Sequence, residues 1–207
     1  MTLHTLKPRF QSLLRPAVRS LHGAGVSANQ VTVSTGVVSV ALGAGLAFAA
    51  DAGQLRWFLL LPPWFLLRMA LNAIDGLLAR EFGQRSTLGA YLNELSDLVA
   101  DAALYLPFAL LSEAASVPTL LVIFLSNLAE VAGLLGIVAG NGRRNDGPMG
   151  KSDRALVFGL LGLLLGAGIA PGAWLPVVLT IVALLLLPTI VNRVRHGIAQ
   201  DGGHADQ

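Results

Sequence analysis

Cysteine is absent from the 207 residues. That excludes disulfides and thiolate metal sites, and leaves oxygen groups or histidine as the available metal ligands. Charge is also scarce: 13% of residues are Asp, Glu, Lys or Arg against 54% hydrophobic, and the mean hydropathy is +0.68. A soluble globular domain does not carry that balance. No basic run is interleaved with aromatic residues, so nucleic acid is not an expected partner. The first 25 residues contain no apolar core of signal-peptide type, because Lys7, Pro8, Arg9, Arg15, Pro16 and Arg19 interrupt it. No linker, compositional shift or repeat divides the chain.

Long apolar stretches remain. Crossing a bilayer core of about 30 Å takes roughly 20 apolar residues, and six stretches qualify, near 30–50, 55–79, 87–111, 117–139, 154–170 and 173–192. The expected fold is an all-α integral membrane protein with six transmembrane helices, preceded by an N-terminal amphipathic surface helix. It forms one membrane domain: 1–25 as the amphipathic segment, 26–195 as the six-helix core and 196–207 as a polar tail. Leu6, Phe10, Leu13, Leu14, Ala17 and Leu21 recur at helical spacing, with the cations elsewhere. Pro62-Pro63 and Pro107 are expected to kink the second and third spans, and glycines such as Gly133, Gly136, Gly159 and Gly162 to allow close helix packing.

Twelve of the 14 Lys and Arg residues fall in the N-terminal segment, the second and fourth inter-span segments, and the end of the last span. By the positive-inside rule those segments, both termini and the polar motif described next face the cytoplasm, as expected for a bacterial inner-membrane protein.

Residues 72–97 read Asn72-Ala-Ile-Asp75-Gly76-Leu-Leu-Ala79-Arg80, eight further residues, then Gly89-Ala-Tyr-Leu-Asn93-Glu-Leu-Ser-Asp97. On a helix Arg68, Asn72, Asp75 and Ala79 share one face, and Gly89, Asn93, Asp97 and Asp101 share another. Polar groups are expensive in an apolar setting. Two such faces brought together gather Asp75, Asp97, Asp101 and two Asn amides, a set suited to a hard divalent cation and an anionic diphosphate.

These residues resemble the signature of the CDP-alcohol phosphatidyltransferases, D-x-x-D-G-x-x-A-R-x8-G-x-x-x-D-x-x-x-D, with Asp75, Gly76, Ala79, Arg80, Gly89 and Asp97 at the signature spacings. Ser27-Ala-Asn29-Gln-Val-Thr32 is similar to the family's N-x-x-T entry to the first span. The first and third signature aspartates are Asn72 and Asn93 here, so a site of formal charge −4 in the family becomes −2.

The resemblance implies a metal-dependent transfer of a phosphatidyl group from CDP-diacylglycerol to a hydroxyl acceptor, releasing CMP. Asp97 would be the general base. Mg²⁺ or Mn²⁺ would be held by Asn72, Asp75, Asn93 and Asp97, with Asp101 as the compensating acid. Asn29, Thr32, Gly76, Ala79, Arg80, Ser86 and Gly89 would bind the nucleotide and diphosphate, and a homodimer is expected. Glu94 is rotated about 100° from Asn93. Lys151 and Arg154 open the fifth span, as positive-inside anchors or as contacts to an acceptor or headgroup phosphate. Arg143-Arg144 and the tail from Gln200 read as solvated. Arg68 is expected to pair with Asp101 or Glu130.

Two other readings compete. The asparagines motivate a catalytically silent relative that binds CDP-lipid or anionic headgroups as a sensor or partner subunit. Six spans with buried charge also describe a small transporter or channel, although the motif clusters at span ends rather than mid-membrane.

Overall fold

The computed structural model describes residues 3–199, with side chains from Phe10 onward. These form seven α-helices: α1 (Leu3–Gly23), α2 (Ala28–Asp51), α3 (Leu61–Glu81), α4 (Thr87–Tyr105), α5 (Glu113–Val138), α6 (Lys151–Gly166) and α7 (Trp174–Ile198). Two 3-10 turns, Leu55–Leu60 and Leu106–Leu110, precede α3 and follow α4. The tail from Gln200 lies outside the described residues.

A helix stands at each of the six expected positions, but only four are long and apolar enough to cross a membrane: α2, α5, α7, and α3 together with its leading turn. In α4 the obstacle is charge, from Glu94, Asp97 and Asp101. In α6 it is length, since 16 residues span only about 24 Å at 1.5 Å per residue.

The prolines act differently from expectation. Pro62 and Pro63 fall in the first turn of α3, where a missing N–H costs nothing and the fixed φ suits a helix start. Pro107 lies in the 3-10 turn after α4. Both mark helix boundaries rather than kinks within a span.

Helix starts follow local chemistry. Ser27 caps α2 through a capping box with Gln30, Ser86 caps α4 by accepting from Gly89 N at 2.9 Å, and Ser112 caps α5. The helices pack mainly as α5 on α7, α2 on α4 and α3 on α6. At the centre Tyr105 stacks on Phe158 with ring centroids 3.8 Å apart, and Phe108 meets Phe58 and Phe158 edge-on. Such pairs add about 0.5–1.5 kcal/mol each beyond area burial.

Glycines set the closest approaches. A Cβ on Gly43 would lie 2.2 Å from the carbonyl oxygen of Ala103, so α2 and α4 touch backbone to side-chain-free surface. Gly133 and Gly136, expected to face another helix, instead receive the backbone of the segment 139–150: a Cβ there would lie 2.5 Å from Arg144 O and 2.6 Å from Gly142 O.

Helix α1 docks by Val18, with Leu14 and Leu21, against Ile74, Leu77 and Leu78 of α3 and Val31 of α2. Val18 was not on the expected apolar stripe. Two members of that stripe, Phe10 and Leu13, remain exposed.

Candidate active site

The end of α3 and the start of α4 run side by side, joined by the short turn through Gln84 and Arg85. The start of α2 closes against them, since Ala28 N donates to Gln84 Oε1 at 2.7 Å. Between these elements lies a cavity of about 850 Å³. Asn29, Thr32, Asn72, Asp75, Gly76, Ala79, Arg80, Ser86, Gly89, Asn93, Asp97 and Lys151 all line it. Thus every residue expected for nucleotide binding borders one space with four of the five expected metal ligands.

Asp75 is buried, and its Oδ2 accepts from Thr32 Oγ1 at 2.9 Å. The α2 entry motif therefore holds the second signature carboxylate in place. Asp97 Oδ1 accepts from Arg68 Nη2 at 3.0 Å and from Asn72 Nδ2 at 3.2 Å, while Lys151 Nζ pairs with Oδ2. Asn72 thus touches the fourth signature position as a donor, something an aspartate there cannot do.

Gly89 has a packing reason to lack a side chain: a Cβ would lie 2.7 Å from Asn29 Oδ1 and 3.0 Å from Ser86 Oγ. Arg80 and Arg85 also line the cavity, and neither forms an ion pair among the described residues.

Two residues expected at the site, Asp101 and Arg154, do not line this cavity. Asp101 lies off this cavity, bordering a neighbouring one of about 640 Å³. Its Oδ1 is bound by Arg68 and its Oδ2 accepts from Arg154 Nη2 at 3.2 Å. Both oxygens are engaged by guanidinium groups, so Asp101 stands in this structure as an ion-pair partner of Arg68 and Arg154. Arg154 is fully buried, binding Asp101 and also Glu130 Oε1 at 2.9 Å, and it does not line the cavity.

Sequence reasoning also missed Arg143. Read as solvated, it lines the cavity, held by Glu94 and by Glu130 Oε2 at 3.1 Å. Glu130 also pairs with Arg193 Nη1 at 3.3 Å. The segment 139–150 is fixed by Arg144 N donating to Gly133 O at 3.0 Å and by Arg144 and His196 on Asp146. Slight desolvation acts to raise the Asp146 carboxyl, but the hydrogen bonds from His196 and Arg144 hold it below its ordinary range. The Gly133–Gly136 pair was the sequence signal for this loop, because a loop backbone can sit there only if both lack side chains.

A family model of CDP-alcohol phosphatidyltransferases matches residues 26–189, the stretch that builds the cavity. The chain belongs to this family. Inner membrane protein YnbA of Escherichia coli (strain K12) is 45% identical over 195 residues, covering 94% of this chain and 96% of that protein. Phosphatidylinositol phosphate synthase of Mycolicibacterium smegmatis is 27% identical, covering 94% and 87%. The crystal structure of Mycobacterium tuberculosis phosphatidylinositol phosphate synthase with CDP-DAG bound superposes with a TM-score of 0.73 at 21% identity, covering 93% of this chain and 96% of that one. The same enzyme in complex with manganese and citrate gives 0.72, covering 93% and 91%. These two likenesses concern the fold. The transferase is a membrane enzyme of phospholipid biosynthesis, and its cavity is where its signature residues meet.

Proposed function

We propose that the transferase moves a phosphatidyl group from CDP-diacylglycerol to a hydroxyl acceptor and releases CMP, with Mg²⁺ or Mn²⁺ as cofactor. The observation that carries this reading is the convergence of Asp75, Asp97, Arg80, Gly76 and Gly89 on one cavity.

A hard divalent cation fits the donor chemistry: two carboxylates, Asp75 and Asp97, and two amides, Asn72 and Asn93, line the same wall. These four would hold it. Among the described residues no group of three or more His, Asp or Glu is arranged for a cation, so the ligands carry a formal charge of only −2. When bound, the cation neutralises charge on the diphosphate.

The protein's own groups do the rest. Arg80 and Arg85, without ion-pair partners among the described residues, offer their guanidinium groups to the diphosphate. Thr32 fixes Asp75, and Arg68 and Asn72 fix Asp97. The acceptor oxygen bonds to the phosphorus that carries diacylglycerol, the bond from that phosphorus to CMP breaks, and CMP leaves with the electron pair. Asp97 takes the acceptor proton, through the oxygen that Lys151 pairs with in the resting arrangement.

Six membrane-embedded helices, a cytoplasmic site with cytoplasmic termini, and a homodimer belong to the same proposal. The distribution of Lys and Arg supports the orientation. The two asparagines and the Lys151–Asp97 pair favour one alternative, a silent relative that binds CDP-lipid without turning it over. Incubating purified protein with CDP-diacylglycerol, Mg²⁺ and a panel of alcohols, with chromatography of CMP and mass spectrometry of the lipid formed, separates the two. CDP-lipid binding without CMP release selects the silent relative.

A further inference from the structure

We infer that the acceptor is an uncharged polyol and not a phosphorylated alcohol, read by the amides of Asn93 and Asn145. The inference rests on the transferase reading for the existence of an acceptor half-site, and deepens it.

The cations that line the cavity are used in two ways. Where α2 and the α3–α4 turn border it, Arg80 and Arg85 have no ion-pair partner among the described residues, as an anionic diphosphate requires. The segment 139–150 and the start of α6 form the other wall, and there each of the cations Arg143, Lys151, Arg154 and Arg193 already has a carboxylate partner. Arg143 is clasped by Glu94 and Glu130, and Lys151 pairs with Asp97. Arg154 and Arg193, behind them, are buried on Glu130, with Arg154 also on Asp101.

A phosphate approaching Arg143 would have to displace Glu94 or Glu130 from its guanidinium group. Like charges would then be left side by side in a half-buried setting. A neutral hydroxyl compound displaces nothing.

Asn93 and Asn145 line the same cavity as Asp97, and their side chains make no hydrogen bond among the described residues. Amides both donate and accept, which is what the hydroxyls of a polyol need. Asn93 keeps its N–H donors even with its oxygen turned to a cation. Glu94 therefore acts as a specificity residue: it holds Arg143 away from anionic acceptors.

The test has two arms on the full chain in detergent. In the first, CMP release from CDP-diacylglycerol is measured against glycerol and against glycerol phosphate. Glycerol should support at least tenfold more release, and equal or greater release with glycerol phosphate overturns the inference. Absence of release with either alcohol, in protein that remains folded, speaks against the transferase reading itself and leaves the second arm to decide.

That arm titrates glycerol phosphate calorimetrically, with no turnover needed. The native chain should show no saturation across the millimolar range. Glu94→Gln should gain affinity by roughly tenfold or more, the worth of a charge-assisted phosphate contact. Saturable binding by the native chain that disappears in Arg143→Ala overturns the inference, and so does a Glu94→Gln variant with no gain.

Discussion

Removing Glu130 should cost far more stability than removing any surface acid, and the reason lies in three arginines. Glu130 sits in α5 at 6% exposure and accepts from Arg154 at 2.9 Å, Arg143 at 3.1 Å and Arg193 at 3.3 Å. In Glu130→Ala, Arg154 keeps Asp101, and Arg143 keeps Glu94. Arg193 is left with no carboxylate at all, only the carbonyl oxygens of Ala129 and Asp146, while its side chain is 1% exposed. Breaking a buried pair from one side costs about 3–5 kcal/mol, because the surviving charge stays buried without a counter-ion. Glu130→Gln keeps an acceptor and should lose less. The control is Glu81→Ala, which removes the exposed pair with Arg15 and should cost at most about 1 kcal/mol. Reversible unfolding in mixed micelles with increasing SDS reads all three. A Glu130→Ala variant no less stable than Glu81→Ala would refute the buried-network argument.

Three further outcomes follow from the same geometry. Gly43→Ala should destabilise the fold by about 1–3 kcal/mol through overpacking, because the new methyl would meet the Ala103 carbonyl at 2.2 Å; unchanged unfolding would mean that α2 and α4 can separate freely. Arg80→Ala should weaken CDP-lipid binding by about 1.5–3 kcal/mol, read by equilibrium binding in detergent, and unchanged affinity would return Arg80 to a topological anchor. Restoring acidity with Asn72→Asp and Asn93→Asp should lower the Mn²⁺ dissociation constant on the order of tenfold, since affinity for hard cations follows ligand charge; a constant indifferent to both changes would make the asparagines packing residues.

Much of the site was legible because its spacing is helical. Asn72, Asp75 and Ala79 on one helix, and Gly89, Asn93 and Asp97 on the next, reach one cavity because each set follows the turn of its helix. Thr32 and Asn29 were legible from the resemblance of residues 27–32 to the family's entry to the first span, and the Ser27 cap that starts α2 there is a structural finding.

The failures are pairings across long sequence separations. Asp101 lies on the expected face of α4, one turn beyond Asp97; Arg68 binds one of its oxygens, as expected, and Arg154, 53 residues away, binds the other. Nothing in the local pattern names that partner. Arg143 looked solvated in a polar, Gly-rich loop, and the loop's return onto Gly133 and Gly136 is a tertiary fact. The prolines misled for a different reason: Pro62-Pro63 and Pro107 break an apolar run without revealing whether they bend a helix or bound it.

The central claim is that this cavity performs phosphatidyl transfer with Asp97 as base. Its most direct test is chromatographic measurement of CMP released from CDP-diacylglycerol by the purified chain and by Asp97→Ala, with size-exclusion profiles matched between them. The account predicts CMP accumulating in step with a new phospholipid in the native chain, and release falling to background in the variant. Equal release by both proteins, or none from the native chain with any alcohol, would contradict it.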